Sequence, residues 1–157
     1  GMDKFFGSLK WSHDLRERII KESGLPISFG LSTNKTVSKI ATGEAKPNGE
    51  LHILPAQIKP FLYPLSIRKI PMIGNKSYRL LRSMGVSTIK TLSMVPPDML
   101  EQVMGKNGKI IWRKANGIDP SPVKPYHEKK SMGTERTFDK DTIDVKRLKE
   151  ILISMTE

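Results

Sequence analysis

The chain has 157 residues, room for one ordinary domain or for parts of two or three small ones. Its 27 Lys and Arg against 16 Asp and Glu give a formal charge of +11, and 37% hydrophobic with 6% aromatic residues suits a foldable chain with modest cores. No apolar run approaches the roughly 20 residues that cross a bilayer, Gly1-Met2-Asp3-Lys4-Phe5-Phe6 shows no secretory h-region, and the lack of cysteine excludes disulfides, thiolate nucleophiles and Cys-bound zinc, so a reducing cytoplasm is expected.

In chain order, Ser12 to Ser23 sets Leu15, Ile19 and Ile20 on one face of a helix that Gly24 stops. Ile27 to Ser32 alternates like a strand with one buried face. Asn34 can cap a helix carrying Val37, Ile40 and Ala41. Lys46-Pro47-Asn48-Gly49 is a turn before the short strand Leu51 to Leu54. Together these make a piece of an α/β layer. From Pro55 the pattern becomes short helices broken by Gly and Pro: Asn75 to Met84 with a stop at Gly85, a helix capped by Ser87 and running through Leu92, another opened by Pro96-Pro97-Asp98, and a last from Ile110 to Ala115. Pro120, Pro122 and Pro125 punctuate a linker. Ser131 to Phe138 alternates as a strand, and Val145, Leu148, Ile151, Leu152 and Met155 recur on one face of a helix from Asp144 to Met155. One strand and one helix do not bury an apolar face alone.

Two glycine corners stand out. Lys69-Ile70-Pro71-Met72-Ile73-Gly74-Asn75-Lys76 has the shape of a helix-hairpin-helix turn. Pro71 presets one backbone angle, Ile73 anchors the turn in the core, and Gly74 lets a ligand approach the amides of the next helix. Lys69, Lys76 and Arg79 add charge. Gly105-Lys106-Asn107-Gly108-Lys109 reads as a second such hairpin. Both lie in residues 51–127, which hold twelve basic against three acidic side chains, while residues 1–50 balance to +2 and residues 128–157 to zero. A local excess of this kind is the footprint of a polyanion partner, and paired corners of this kind grip phosphate backbone without reading sequence.

Other chemistry is sparse. His13, His52 and His127 are scattered, with no second ligand at metal-site spacing. No Walker loop or nucleophile elbow is present. Lys46, in a rigid turn, could hold its ammonium as a fixed point charge for a phosphate, though its local sequence also reads as an ordinary exposed turn lysine.

The chain resembles the Y-family, lesion-bypass DNA polymerases of the DNA polymerase IV type (DinB, ImpB-MucB-SamB). The blocks that carry the resemblance are Gly24 to Ser32, Asn34-Lys35, Lys39-Ile40-Ala41, Lys46 to Gly49, Ile67 to Gly74, the Gly105 to Gly108 corner, Asn116-Gly117-Ile118-Asp119, Lys130-Ser131-Met132 and Glu135 to Phe138. The resemblance implies an α+β, multi-part fragment. Residues 1–62 would be the C-terminal part of an α/β palm, 63–120 an all-helical thumb with two helix-hairpin-helix-like motifs, 121–130 a linker, and 131–157 the start of an α/β little finger. It implies that Lys46 matches the lysine contacting the incoming nucleotide's triphosphate. It further implies that Lys69, Ile73, Gly74, Lys76, Gly105, Lys106, Gly108 and Lys109 grip duplex backbone, with Lys129 and Lys130 on the tether and Arg136 on a DNA-tracking strand.

That family transfers a nucleotidyl group with two Mg2+ ions held by an N-terminal Asp and an adjacent Asp-Glu pair. Met2-Asp3-Lys4-Phe5-Phe6 imitates the first motif, but the helix bearing Leu15 follows too soon for Asp3 to be a metal ligand, so no catalytic or metal residue is assigned. The resemblance therefore implies the DNA-binding portion of a DNA-directed translesion polymerase, a C-terminal fragment, monomeric, inactive by itself, and partnered by primer-template DNA. An incoming nucleotide, and a sliding clamp through regions outside this chain, would engage the whole enzyme. The alternative is a stand-alone, non-enzymatic helix-hairpin-helix DNA-binding module; an RNA-binding basic protein is a third class.

Overall fold

A computed structural model describes residues 2–124, 133–135, 137, 138 and 140–156, with only the backbone for residues 2–6 and 156. The chain divides into two units, Gly1–Val123 and Lys124–Glu157. The division falls within residues 121–130, where the prolines cluster.

The first unit opens with α1 (Met2–Ser23), which begins well before the expected Ser12. Gly24 ends it at φ 71, its amide closing the last turn onto the Ile20 carbonyl at 2.8 Å. Strands β1 (Phe29–Leu31) and β2 (Glu50–His52) pair in parallel, with Gly30 opposite Leu51, and α2 (Lys35–Glu44) is the crossover that a parallel pair requires. The α2 start was legible: the Asn34 side chain accepts from the Val37 amide at 3.0 Å. Val37, Ile40 and Ala41 are buried. Gly30 lies so close to α2 that a Cβ would stand 2.4 Å from the Thr42 nitrogen. Both strands are shorter than the sequence suggests, because flanking groups find other partners. The Ile27 carbonyl accepts from the Arg16 side chain at 2.9 Å, and the Ile53 carbonyl from the Ser32 hydroxyl at 2.9 Å.

A 3-10 turn (Pro55–Gln57) leads into α3 (Ile58–Leu62), and a second (Ile67–Lys69) precedes α4 (Asn75–Ser83), α5 (Ile89–Met94), α6 (Pro97–Met104) and α7 (Lys106–Ala115). Two sequence expectations are corrected. Thr88, not Ser87, caps α5, its hydroxyl accepting from the Thr91 amide at 3.2 Å. The Ser87 carbonyl instead takes the Ile67 amide, alongside a Ser66–Thr88 bridge. Helix α7 begins at Lys106 rather than Ile110. Leu62, Ile67, Ile70, Leu81, Ile89, Leu92, Leu100 and Ile111 are fully buried and form one cluster with Val37, Ile40 and Ile53. The core thus runs unbroken past residues 62 and 63, the division that the resemblance implies.

In the second unit α8 (Val145–Thr156) starts where expected, the Asp144 carboxylate accepting from the Arg147 amide at 3.1 Å. Ser131, Met132 and Arg136 of the expected strand lie outside the described residues. The described 133–135, 137 and 138 form no strand. Thr134 and Phe138 instead line an apolar cavity with Leu148, Ile151 and Met155 of α8.

Candidate nucleic-acid interface

The first glycine corner is built from the core outward. Ile70 is fully buried, and Ile73 packs against the same cluster. The Ile73 amide donates to the Ile70 carbonyl and the Gly74 amide to the Met72 carbonyl, both at 3.2 Å, which reverses the chain tightly. Gly74 becomes the N-cap of α4, exposed, with open space where a Cβ would stand and no side chain capping the helix. The first bond of α4 runs from the Tyr78 amide to the Gly74 carbonyl at 2.9 Å, so the amides of Asn75, Lys76 and Ser77 have no acceptor among the described residues. Such a helix end carries the positive pole of the peptide dipoles and favours an anion.

Cations surround it unequally. Lys76 and Arg79 are exposed, without an ion pair among the described residues, and lie one turn apart on the helix. Arg68 stacks 3.9 Å over the Tyr78 ring. Lys69, by contrast, sits 2.6 Å from Glu44 at the end of α2, which ties the corner to that helix.

The second corner departs from expectation. Gly105 alone is the hinge, at φ 65, and Lys106 to Lys109 form the first turn of α7 rather than a hairpin loop. Gly105 and Lys106 are exposed at an N-terminus that no side chain caps. Gly108 is buried: a Cβ there would lie 2.1 Å from the Leu100 carbonyl oxygen, and its amide donates to the Gly105 carbonyl at 2.8 Å. Its role is close packing of α7 on α6. The signal was present, since Gly108 is in helical phase with buried Ile111 and Ala115. Lys109 is paired with Glu101 at 2.5 Å and Asp98 at 3.4 Å, and its pKa is raised, first by the hydrogen bond it donates to Glu101. Lys130 and Arg136 lie outside the described residues, as does Lys129.

Lys46 projects from the turn joining α2 to β2. The Lys46–Pro47 peptide is cis, Asn48 stands at φ 49, and Gly49 is pressed against Ala45, whose carbonyl oxygen a Cβ would approach to 2.4 Å. The Lys46 side chain is exposed and has no partner among the described residues. It lines an open cavity of about 500 Å3 with Ile27, Ser28, Thr42 and Pro47.

Sequence reading missed two buried polar groups. Arg16 is 8% exposed and bonds to the Lys46–Gly49 turn and to Glu50. Thr36, 2% exposed, donates to Asp119 at 2.6 Å and accepts from Lys114 at 2.7 Å, while Asn34 donates to the Gly117 carbonyl at 2.9 Å. The Ser121 hydroxyl, then that of Thr36, and the nearby Lys114 charge hold the Asp119 carboxyl well below the usual carboxylate range. Partners 32 and 83 residues apart give no local signal.

His13, Glu17 and Glu50 bring ligand atoms within 4.8 Å of one another, a grouping the sequence hid because Glu50 is 37 residues from His13. The Arg16 guanidinium already donates to Glu17 at 2.7 Å and to Glu50 at 3.3 Å. Carboxylates neutralised in this way do not fit Mg2+, which demands a near-octahedral set of oxygen ligands. Asp3 lies in α1, and its side chain is outside the description.

No protein-family model matches the chain. It is 36% identical over 143 residues to a DNA polymerase IV of Dehalococcoides mccartyi, covering 90% of this chain and 37% of that protein. It is 35% identical over 144 residues to the DNA polymerase IV of Desulfatibacillum aliphaticivorans, covering 92% and 36%. Among solved structures, DinB from Sulfolobus solfataricus superposes with a TM-score of 0.65 at 25% identity, over 74% of this chain and 35% of that one. An insertion ternary complex of Dbh DNA polymerase gives 0.68 at 26%, over 76% and 35%. The chain spans a little over a third of the length of the curated relatives it matches. By sequence it is similar to part of DNA polymerase IV, and by fold, a mixture of helices and a small sheet, to part of the DinB and Dbh polymerases.

Proposed function

We propose that this chain is the DNA-gripping portion of a DNA-directed translesion polymerase, holding primer-template duplex by its backbone without reading sequence. Residues 1–62 are the end of the palm, 63–120 the thumb, 121–130 the tether and 131–157 the start of the little finger. The observation that carries the proposal is the start of α4, where three amides have no acceptor among the described residues and the exposed Lys76 and Arg79 stand on the same first turns. Gly105 and Lys106 offer a second phosphate contact, and Lys46 meets the triphosphate of the incoming nucleotide. The protein works as a monomer in the cytoplasm; no described helix is long and apolar enough to cross a membrane. Because the His13, Glu17 and Glu50 grouping does not fit Mg2+, this reading has the ions that polymerisation needs, like any clamp contact, held by regions outside this chain.

Fluorescence anisotropy of a labelled duplex, titrated with the chain at rising salt, tests the reading. Affinity should fall with a log-log slope of magnitude about 3 to 5. Lys76→Gln should reduce that slope by about 1, whereas Lys69→Gln, whose ammonium is already paired with Glu44, should change it little. A flat salt response, or a strong preference for one sequence, overturns the proposal. Primer extension with Mg2+ should show no incorporation by the chain alone.

A further inference from the structure

Arg16 is an unusual side chain for the solvent-facing helix on which it sits. All five guanidinium N–H donors have acceptors. Nε donates to the Ile27 carbonyl at 2.9 Å, Nη1 to Glu17 at 2.7 Å and Glu50 at 3.3 Å, and Nη2 to the Asn48 carbonyl at 2.9 Å and the Asn48 side-chain oxygen at 2.6 Å. Two carboxylates offset its charge, and it is not among the residues lining the cavity beside Lys46. It is therefore poorly placed to bind an anion itself. What it does hold is Asn48, two residues from Lys46, in a left-handed backbone conformation that asparagine adopts more readily than other non-glycine residues.

We infer that Arg16 is the positioning residue for Lys46: its guanidinium fixes the Lys46–Gly49 turn and so sets where the lysine ammonium meets a triphosphate. The inference rests on the reading that Lys46 contacts triphosphate. A lysine side chain swings on four carbons, so the place and direction of its Cα decide whether the ammonium reaches a given phosphate. Arg16 sets both from outside the site. It clamps the carbonyl and the side chain of Asn48 together, and through Glu50 and Ile27 it ties the turn to β2 and to the segment leading into β1. A lysine at position 16 would keep the charge but lose the planar fork, and could serve only some of these five acceptors.

The test is lysine acetylation footprinting of the whole chain, read at Lys46 by mass spectrometry, with inorganic tripolyphosphate as probe. In the wild-type chain, tripolyphosphate should protect Lys46. Arg16→Lys should raise the concentration giving half protection by about tenfold, since small misplacements of a binding group cost this much or more. Asn48→Gly, which keeps the left-handed backbone and deletes one acceptor, should act in the same direction but less. Ile111→Val, which loosens the core at α7, should lower the melting temperature and leave Lys46 protection unchanged. If Arg16→Lys and Asn48→Gly both protect Lys46 as the wild type does, the role of Arg16 is overturned and that of Lys46 stands. Unprotected Lys46 in the wild-type chain overturns both. Should Arg16→Lys fail to fold, Asn48→Gly decides alone: unchanged protection overturns the inference.

Discussion

Met72 sits in the tip of the first corner with φ 85 and its side chain half exposed. An L side chain in the left-handed region costs about 1–2 kcal/mol, and nothing in the burial of Met72 requires it to be there. Met72→Gly relieves that strain, while the greater freedom of glycine in the unfolded chain returns about 0.5–1 kcal/mol. The net expectation is a gain of about 0.5 kcal/mol for Met72→Gly and a loss of about 1 kcal/mol for Met72→Val, whose branched Cβ crowds the same backbone. Urea melts of the three chains read opposite signs if this is right; a loss in Met72→Gly shows that the side chain packs more than its exposure indicates. Gly74 makes a useful contrast. Its φ of −82 suits any residue, so what its missing side chain supplies is space before the α4 amides rather than conformational freedom.

At the scale of elements, the meeting of α6 and α7 depends on one missing methyl group. A Cβ on Gly108 would stand 2.1 Å from the Leu100 carbonyl oxygen and 2.7 Å from the Glu101 nitrogen, both backbone, so no rotamer change relieves the clash. Gly108→Ala gains about 1 kcal/mol of helix propensity and loses about 3 kcal/mol to overpacking. Thermal melts should therefore show a net loss of about 2 kcal/mol, and an unchanged melting temperature would mean that α6 shifts freely. This residue also shows where sequence reading ran out. The start of α2 was legible because Asn34 caps locally and Val37, Ile40 and Ala41 mark one face. The start of α7 was not, because Gly-Lys-Asn-Gly carries turn chemistry whether it forms a loop or the first turn of a packed helix. Only the neighbouring helix decides between them. The first corner read correctly as a tight reversal anchored by Ile73, since proline, glycine and an apolar anchor act within eight residues. Lys69 and Lys109 read only as cations, because carboxylates elsewhere in the fold had to be in place before they read as paired.

At the scale of the whole first unit, a clasp joins residues near the start of α2 to those just after α7. Asp119 accepts from Thr36 at 2.6 Å and from the Ser121 hydroxyl and amide, with Lys114 3.5 Å away. Asn34 holds the Gly117 carbonyl, and Lys35 the Pro122 carbonyl at 2.9 Å. Under the proposed function, this clasp fixes the thumb to the palm and so fixes the phosphate-binding start of α4 relative to Lys46. Its charge makes it sensitive to acid. The Asp119 carboxyl titrates below the usual range in the folded chain, chiefly because of the Ser121 and Thr36 hydroxyls, and near 3.9 when unfolded. Stability from this group is therefore fully present above about pH 5 and is lost progressively as the pH falls through about 4 and below. Asp119→Asn should lose about 2 kcal/mol at pH 7, because a charged acceptor is replaced by a neutral one, and the gap between wild type and variant should narrow on acidification. Melts of both chains at pH 7, 4 and 3 measure that gap directly. A gap that stays constant across this range would show that the Asp119 charge does not hold the clasp, leaving the shared hydrophobic core to join α2 to α7.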